Sequence, residues 1–429
     1  MGSDIELVLK LIDKEELANL ALDLGNIDSP PGQEREIGVF VEAWLRQEGF
    51  KTRVISLVPE RPNVVGVYQG TGGGYSLLFN SHMDTAVSDH DFWARRDCNR
   101  PIDHMAWREG DTLYGNGVVN DKGLMACFLM AAKAIKIAGV TLKGDLILTA
   151  VSGEIEQEPI DEFQGIKYLS RDIGARFMVG HGVIADYALI AETTSFHLAW
   201  VQAGKAVFKV TVFAGPCQYA PFIKRPYTLQ ENPNAIFQMA RLIEKVENWA
   251  LSYEKEHTYV SSGGTLIPTV NIAAVRGGMP FHTCTTPELC SLYIDFRIPP
   301  NQDVLALKAE LERIVKSLRL EGEVELFHFR RGFEGQNVDR LVRAIERAHS
   351  GMFGVKPELA VGPVCSMWRD DNVFHEAGIP AANYGPGAIV GGGNLSISLD
   401  DLHKAALIYA TIVLDLCNQD KTINMCTIK

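Results

Sequence analysis

YSLLFNSHMDTA, residues 75–86, is an apolar run that breaks off into polar residues. Leu77, Leu78 and Phe79 read as a strand, and His82 and Asp84 stand where that strand stops. Two later stretches share the design: DLILTAVSGE (145–154) runs into Glu154, and DYALIAETT (186–194) into Glu192. Between the first two lies LMACFLMAAKAIKIAG (124–139), which reads as a helix. Strands alternating with helices predict an α/β layer on a largely parallel sheet. Sheets of that kind place their sites at the carboxyl ends of the strands, where these histidines and acids fall.

Working outward, an opening helix is expected to run until Ser29-Pro30-Pro31-Gly32. A second, amphipathic helix spans about Glu34 to Glu48, with Ile37, Val41, Trp44 and Leu45 at helical spacing. The pattern changes near Gly204. From there AVFKVTVFAG, NAIFQMARLIEKVENWALSYE, LIPTVNIAAVRGG, ELCSLYIDFRIPP, VLALKAELERIVKSL and VELFHF follow in the order β-α-β-β-α-β, the ferredoxin-like arrangement. The α/β style then returns through RLVRAIERAHSGMFG to a final helix, DDLHKAALIYATIVLDLC. The expected organisation is a larger α/β domain, residues 1–203 and 331–429, carrying an inserted α+β domain at 204–330. A chain of 429 residues agrees with two domains.

With 46% hydrophobic and 22% charged residues the chain reads as globular rather than disordered. Its 53 acidic and 41 basic residues leave a net charge of −12, which argues against nucleic-acid and anionic-membrane partners. The first residues carry Asp4, Glu6, Asp13, Glu15 and Glu16, so no secretory signal is read there and a cytoplasmic location is expected. The eight scattered cysteines, with no CxxC pair, read as reduced thiols.

Four segments carry ligand-type residues. His82 can coordinate a metal while a neighbouring carboxylate orients its ring, though a loop histidine beside a solvated acid is the simpler reading. Gly115-Asn116-Gly117 and Asn120-Asp121-Lys122-Gly123 present Asp121 near a helix start, where Asn120 or Asp121 could equally be an N-cap. Ser152 to Glu158 crowds three acids after a strand; Glu156 and Glu158 are expected to be solvated. Glu192 ends the third strand. Three strand ends, each with a potential metal ligand, argue for one cluster.

These motifs resemble metallopeptidase family 20, which includes acetylornithine deacetylase, succinyl-diaminopimelate desuccinylase, aminoacylase and glutamate carboxypeptidase. SHMDTA is similar to the family's HxD, GNGVVNDKG to its GxGxxDxKG with one extra residue, and Ala191-Glu192-Thr193 to its EPT. Asn271 to Gly278, Asp295 to Pro300, Ser366 to Arg369, Gly378 to Pro380 and Gly385 to Gly387 resemble its later motifs, in order. The resemblance implies a zinc-peptidase-like three-layer α/β catalytic domain with an inserted lid and dimerisation domain, and a homodimer formed through the latter. It implies metal ligation by His82, Asp121 and Glu192, with Asp121 bridging and Asp84 orienting the histidine. It also implies substrate contacts from Asn271 and from Arg369, the latter gripping a substrate carboxylate; the simpler reading of Arg369 is a surface ion pair with Asp370 or Asp371.

Three positions depart from the family pattern. Where it has two adjacent glutamates, general base then ligand, this chain has Gly153-Glu154, or Glu154-Ile155 in a shifted register. Where it has a final histidine ligand, four residues before Asp400, this chain has Ser396, and Tyr219 stands where the lid histidine is expected. The implied cofactor is therefore one zinc ion rather than two, with cobalt or manganese as alternatives, and Glu154 is the general base or a further ligand. The expected function is a metal-dependent amidohydrolase acting on an N-acyl amino acid or small peptide with a free carboxylate. Two other readings stay open: a non-hydrolytic reaction (condensation, cyclisation or C–C cleavage) on the same fold, and a catalytically silent binding protein.

Overall fold

The computed structural model describes residues 2–87, 96–97, 99–155, 157–388 and 395–421. Glu156, Cys98, Cys426 and the glycine run 391–393, all singled out in the sequence, lie outside them. The chain divides into two compact units, one formed by residues 1–200, 335–360 and 369–429 and the other by 201–334 and 361–368.

Ten strands matter for the site and its surroundings. In chain order they are β1 (Lys51–Ile55), β2 (Asn63–Tyr68), β3 (Leu77–His82), β4 (Leu146–Val151), β5 (Tyr187–Ile190), β6 (Gly204–Phe213), β7 (Thr269–Gly277), β8 (Leu289–Ile298), β9 (Glu321–Arg330) and β10 (Ala381–Asn383). The first unit is built on a sheet of order β1-β2-β4-β3-β5-β10. β4, β3, β5 and β10 run parallel, while β2 pairs antiparallel with both β4 and β1. β3 and β4 are buried along their whole length, as continuous apolar runs in a covered parallel sheet must be. Helix Gly123–Ile137 is buried at nearly every position and packs against helix Leu399–Leu416 in the same core.

The opening segment is two helices rather than one. Gly2–Lys10 ends before Asp13, whose side chain accepts a hydrogen bond from the Glu16 amide and starts a fresh helix at Lys14–Gly25. An N-cap acid inside an apolar-periodic stretch breaks a helix without any proline. In the same unit the buried Arg61 guanidinium binds the buried Glu34 carboxylate and donates to the carbonyls of Ile166 and Leu169, tying the loop after β4 to the helix before β1.

The second unit contains a four-stranded antiparallel sheet, β7-β8-β6-β9, covered by helices Ala235–Glu256 and Val304–Ser317. A small hairpin, Tyr259–Ser261 with Gly264–Leu266, is added before β7. β7 is an edge strand of nine residues, largely exposed. Of the described cysteines, Cys127, Cys290, Cys365 and Cys417 are buried and free, and Cys217 and Cys284 are exposed and free.

Helix Asp371–Glu376 carries a titration consequence. The His375 side chain is buried, and desolvation pulls its pKa down to about 4. In the unfolded chain the same imidazole titrates near 6.5, so below that pH the unfolded state binds a proton that the fold refuses. The contribution is fully present above about pH 6.5 and is lost as pH falls towards about 4, at roughly 1.4 kcal/mol per pH unit, about 3 kcal/mol in all. Urea unfolding of wild type and His375→Gln across that range should show their stability difference shrinking by about this amount; a difference independent of pH would refute it.

Candidate metal centre

Each element of the proposed cluster is delivered by a strand end or the turn beside one. β3 stops on His82, β4 leads through Ser152-Gly153 to Glu154, and β5 leads through Ala191 to Glu192. Asp121 sits in the tight turn Val118–Lys122, just ahead of helix Gly123–Ile137, and caps nothing: the helix has no side-chain cap. Ligand atoms of His82, Asp121 and Glu192 all lie within 4.8 Å of one another, and all three side chains are buried.

The imidazole is held in one orientation. Nδ1 of His82 lies 2.9 Å from the Asp84 carbonyl oxygen, which fixes the proton on Nδ1 and leaves Nε2 as the coordinating nitrogen. Nε2 faces Asp121 Oδ2 at 3.4 Å and Glu154 Oε2 at 3.9 Å. The ring is thus oriented more closely by the backbone of Asp84 than by its carboxylate, which is 3.7 Å away. That carboxylate instead accepts the Glu154 and Ile155 amides at 3.2 and 2.7 Å, holding the loop that carries Glu154. Asp84→Ala should therefore lower turnover about 10–100-fold, the usual cost of losing an outer-shell partner, with Glu154 misplaced; unchanged kcat would contradict this role.

Electrostatics mark the cluster as a cation site. Burial alone would lower the His82 pKa, but Asp121, Asp84, Glu154 and Glu192 outweigh it and raise it to about 10. Burial and the charge of Glu192 push Asp121 well above the usual carboxylate range. Burial lifts Glu154 to about 7 against the pull of Arg171 and His82, and Asp370 to about 6 against its hydrogen bond from Asn80. Both carboxylate oxygens of the buried Asp121 lack a hydrogen-bond donor. One imidazole nitrogen and two carboxylates, crowded and under-compensated, fit a divalent ion of the zinc type with an open position.

Several expectations need revision. Glu158 is buried rather than solvated, 4.0 Å from the buried Arg171 Nε. Arg369 is no surface residue: its side chain is 2% exposed, its Nε lies 3.2 Å from Glu192 Oε2, and its Nη2 donates to the Thr193 carbonyl at 2.9 Å. Asp370 is taken by Asn80 at 2.9 Å. Ser396 opens a short strand paired with Thr112–Tyr114, and His403 Nε2 is bound to the Ile12 carbonyl. Asn271 and Tyr219 belong to the second unit, where Asn271 is exposed in β7 opposite Asp295 and Tyr219 is exposed against Phe222. Sequence reasoning missed Arg171, Asp370 and Asn80; the visible signal was a polar Asn80 inside an apolar strand, with Thr149 beside it donating to its side chain.

Position 153 disfavours a side chain. Gly153 has φ +74°, and a Cβ there would lie 3.0 Å from Ile173 Cγ1 and 3.1 Å from Arg61 Nη2. Glu154 is consequently the carboxylate that this loop offers beside His82.

Known proteins resemble this chain over most of its length. The sequence model of peptidase family M20/M25/M40 matches residues 78–415. The chain is 27% identical over 448 residues to N-formyl-4-amino-5-aminomethyl-2-methylpyrimidine deformylase of Bacillus subtilis (strain 168), covering 95% of this chain and 96% of that protein. Its fold is similar to a tripeptidase of Staphylococcus aureus (TM-score 0.69, 18% identity, 95% and 100% covered). It is also similar to a dinuclear metal-binding peptidase of Bacillus subtilis (TM-score 0.61, 14% identity, 95% and 99% covered).

Proposed function

The chain belongs to peptidase family M20/M25/M40, metal-dependent hydrolases of C–N amide bonds, and from that premise we propose that it hydrolyses the amide of a small N-acyl compound with one zinc ion held by His82, Asp121 and Glu192. The observation that carries this reading is Asp121: a fully buried carboxylate with no donor on either oxygen, facing the coordinating nitrogen of His82. When bound, a divalent ion there supplies Lewis-acid polarisation of the scissile carbonyl.

The chain's own groups do the rest. Glu154 is the general base: it faces the same side of His82, and burial holds its pKa near neutrality, where a base is most effective. Asp84 keeps Glu154 in place through two backbone amides. The similarity to a deformylase along nearly the whole chain favours a short acyl group. The largely exposed edge strand β7 supports pairing between two copies, and residues 204–330 are read as the lid and dimerisation domain. Among the described residues no helix is long and apolar enough to cross a membrane, and a cytoplasmic location is part of the proposal.

Metal analysis with a hydrolysis assay tests the reading. One zinc per chain and release of acid from an N-formyl or N-acetyl panel are expected. No metal uptake, or no product with zinc or cobalt added, would favour the silent binding protein; two ions per chain would show that a further ligand set exists.

A further inference from the structure

We infer that Arg369 is the positioning residue of Glu192 rather than a clamp for substrate, and that the site takes amides whose amine portion carries no carboxylate. The inference rests on the hydrolase reading above.

An arginine that recognises a carboxylate does so bidentately, with both arms of its fork on the ligand. Two arms of the buried Arg369 guanidinium face one segment of this chain, one through an ion pair and one through a hydrogen bond. Its Nε faces Glu192 Oε2 at 3.2 Å and its Nη2 donates to the carbonyl of the next residue, Thr193, with the side chain 2% exposed. The guanidinium thereby spans the turn that leaves β5 and holds the Glu192 carboxylate among His82 and Asp121. A substrate carboxylate taking that fork would strand Glu192 as a buried charge with its partner removed. Asp371, fully buried, also faces the Arg369 charge and would lose by the exchange.

The surroundings point the same way. Asp84, Asp121, Glu154, Glu192, Asp370 and Asp371 are all buried in this part of the unit. A substrate bringing a further carboxylate would add to this group of buried acids, whereas a neutral or cationic amine portion would not.

The test uses the full-length protein, with Arg369→Met and Arg369→Lys, and pairs an N-acyl amino acid with its carboxamide. Zinc affinity is measured by chelator competition, and kcat and KM for both substrates. R369M should weaken zinc binding about 10–100-fold, with R369K recovering part of the loss. It should lower kcat for the two substrates in the same proportion and leave their KM ratio unchanged. The wild type should turn over the carboxamide at least as well as the acid. Zinc held equally by wild type and R369M, or KM rising for the acid alone, overturns the inference while leaving the hydrolase intact. Should R369M not fold, R369K and the wild-type ratio decide: a preference of more than about tenfold for the acid overturns it. A wild type that binds no zinc overturns the hydrolase reading and this one with it.

Discussion

Purified Asp121→Asn protein is expected to contain no zinc, against one ion per chain in the wild type, and to have lost amide hydrolysis by about 10³-fold or more. The magnitude follows from Lewis-acid stabilisation worth several kcal/mol, about 4, at 1.36 kcal/mol per decade of rate. Loss of the fold is not the expected cause. Neither Asp121 oxygen receives a hydrogen bond, so what the substitution removes is the ion pair with His82 Nε2 at 3.4 Å. In the metal-free protein that loss is offset, because burial and the nearby charge of Glu192 already disfavour an ionised Asp121. Metal-free D121N should thus unfold at the same temperature as metal-free wild type or higher, while only the wild type gains from added zinc. A variant that keeps its zinc or its turnover would show that Asp121 is not a ligand.

Glu154→Gln is the second large effect: a fall in kcat of about 10²–10⁴-fold, the usual contribution of a general base, with zinc still bound. The amide keeps the shape of the side chain and leaves the two backbone amides on Asp84 undisturbed. What it removes is a carboxylate beside His82 whose pKa, about 7, suits taking a proton from water. Zinc content and kcat separate its two possible roles. Retained zinc with lost turnover identifies the base; lost zinc identifies a ligand; undiminished turnover excludes both.

The strand ends were legible from sequence because they combine two strong signals, a continuous apolar run and an abrupt stop at a ligand-type residue. The α/β frame and the ferredoxin-like order of the second unit were readable from the same periodicities. What escaped was pairing between distant segments. That Glu158 meets Arg171, that Asp370 meets Asn80, and that Arg369 meets Glu192 depend on chain crossings that no local pattern encodes. Burial of long charged side chains is rare enough that sequence reasoning defaults to solvent, and a functional centre is where that default fails. The role of the Asp84 backbone was hidden for a different reason: a carbonyl oxygen exists at every residue, so its use leaves no mark in the sequence.

Gly153 has a consequence for any side chain placed at the start of this loop. Two of the four glycine codons lie one nucleotide from a glutamate codon, so a carboxylate at such a position can be within genetic reach. Yet a side chain restored there would meet a left-handed backbone, Ile173 and the guanidinium of Arg61, which is itself committed to Glu34 and the loop at 166–169. Such a residue would need Ile173 and the Arg61 guanidinium to give by a few tenths of an ångström, on top of the strain of the left-handed backbone. Backbone and neighbours thus bias position 153 towards glycine, and with it the loop towards a single carboxylate beside His82.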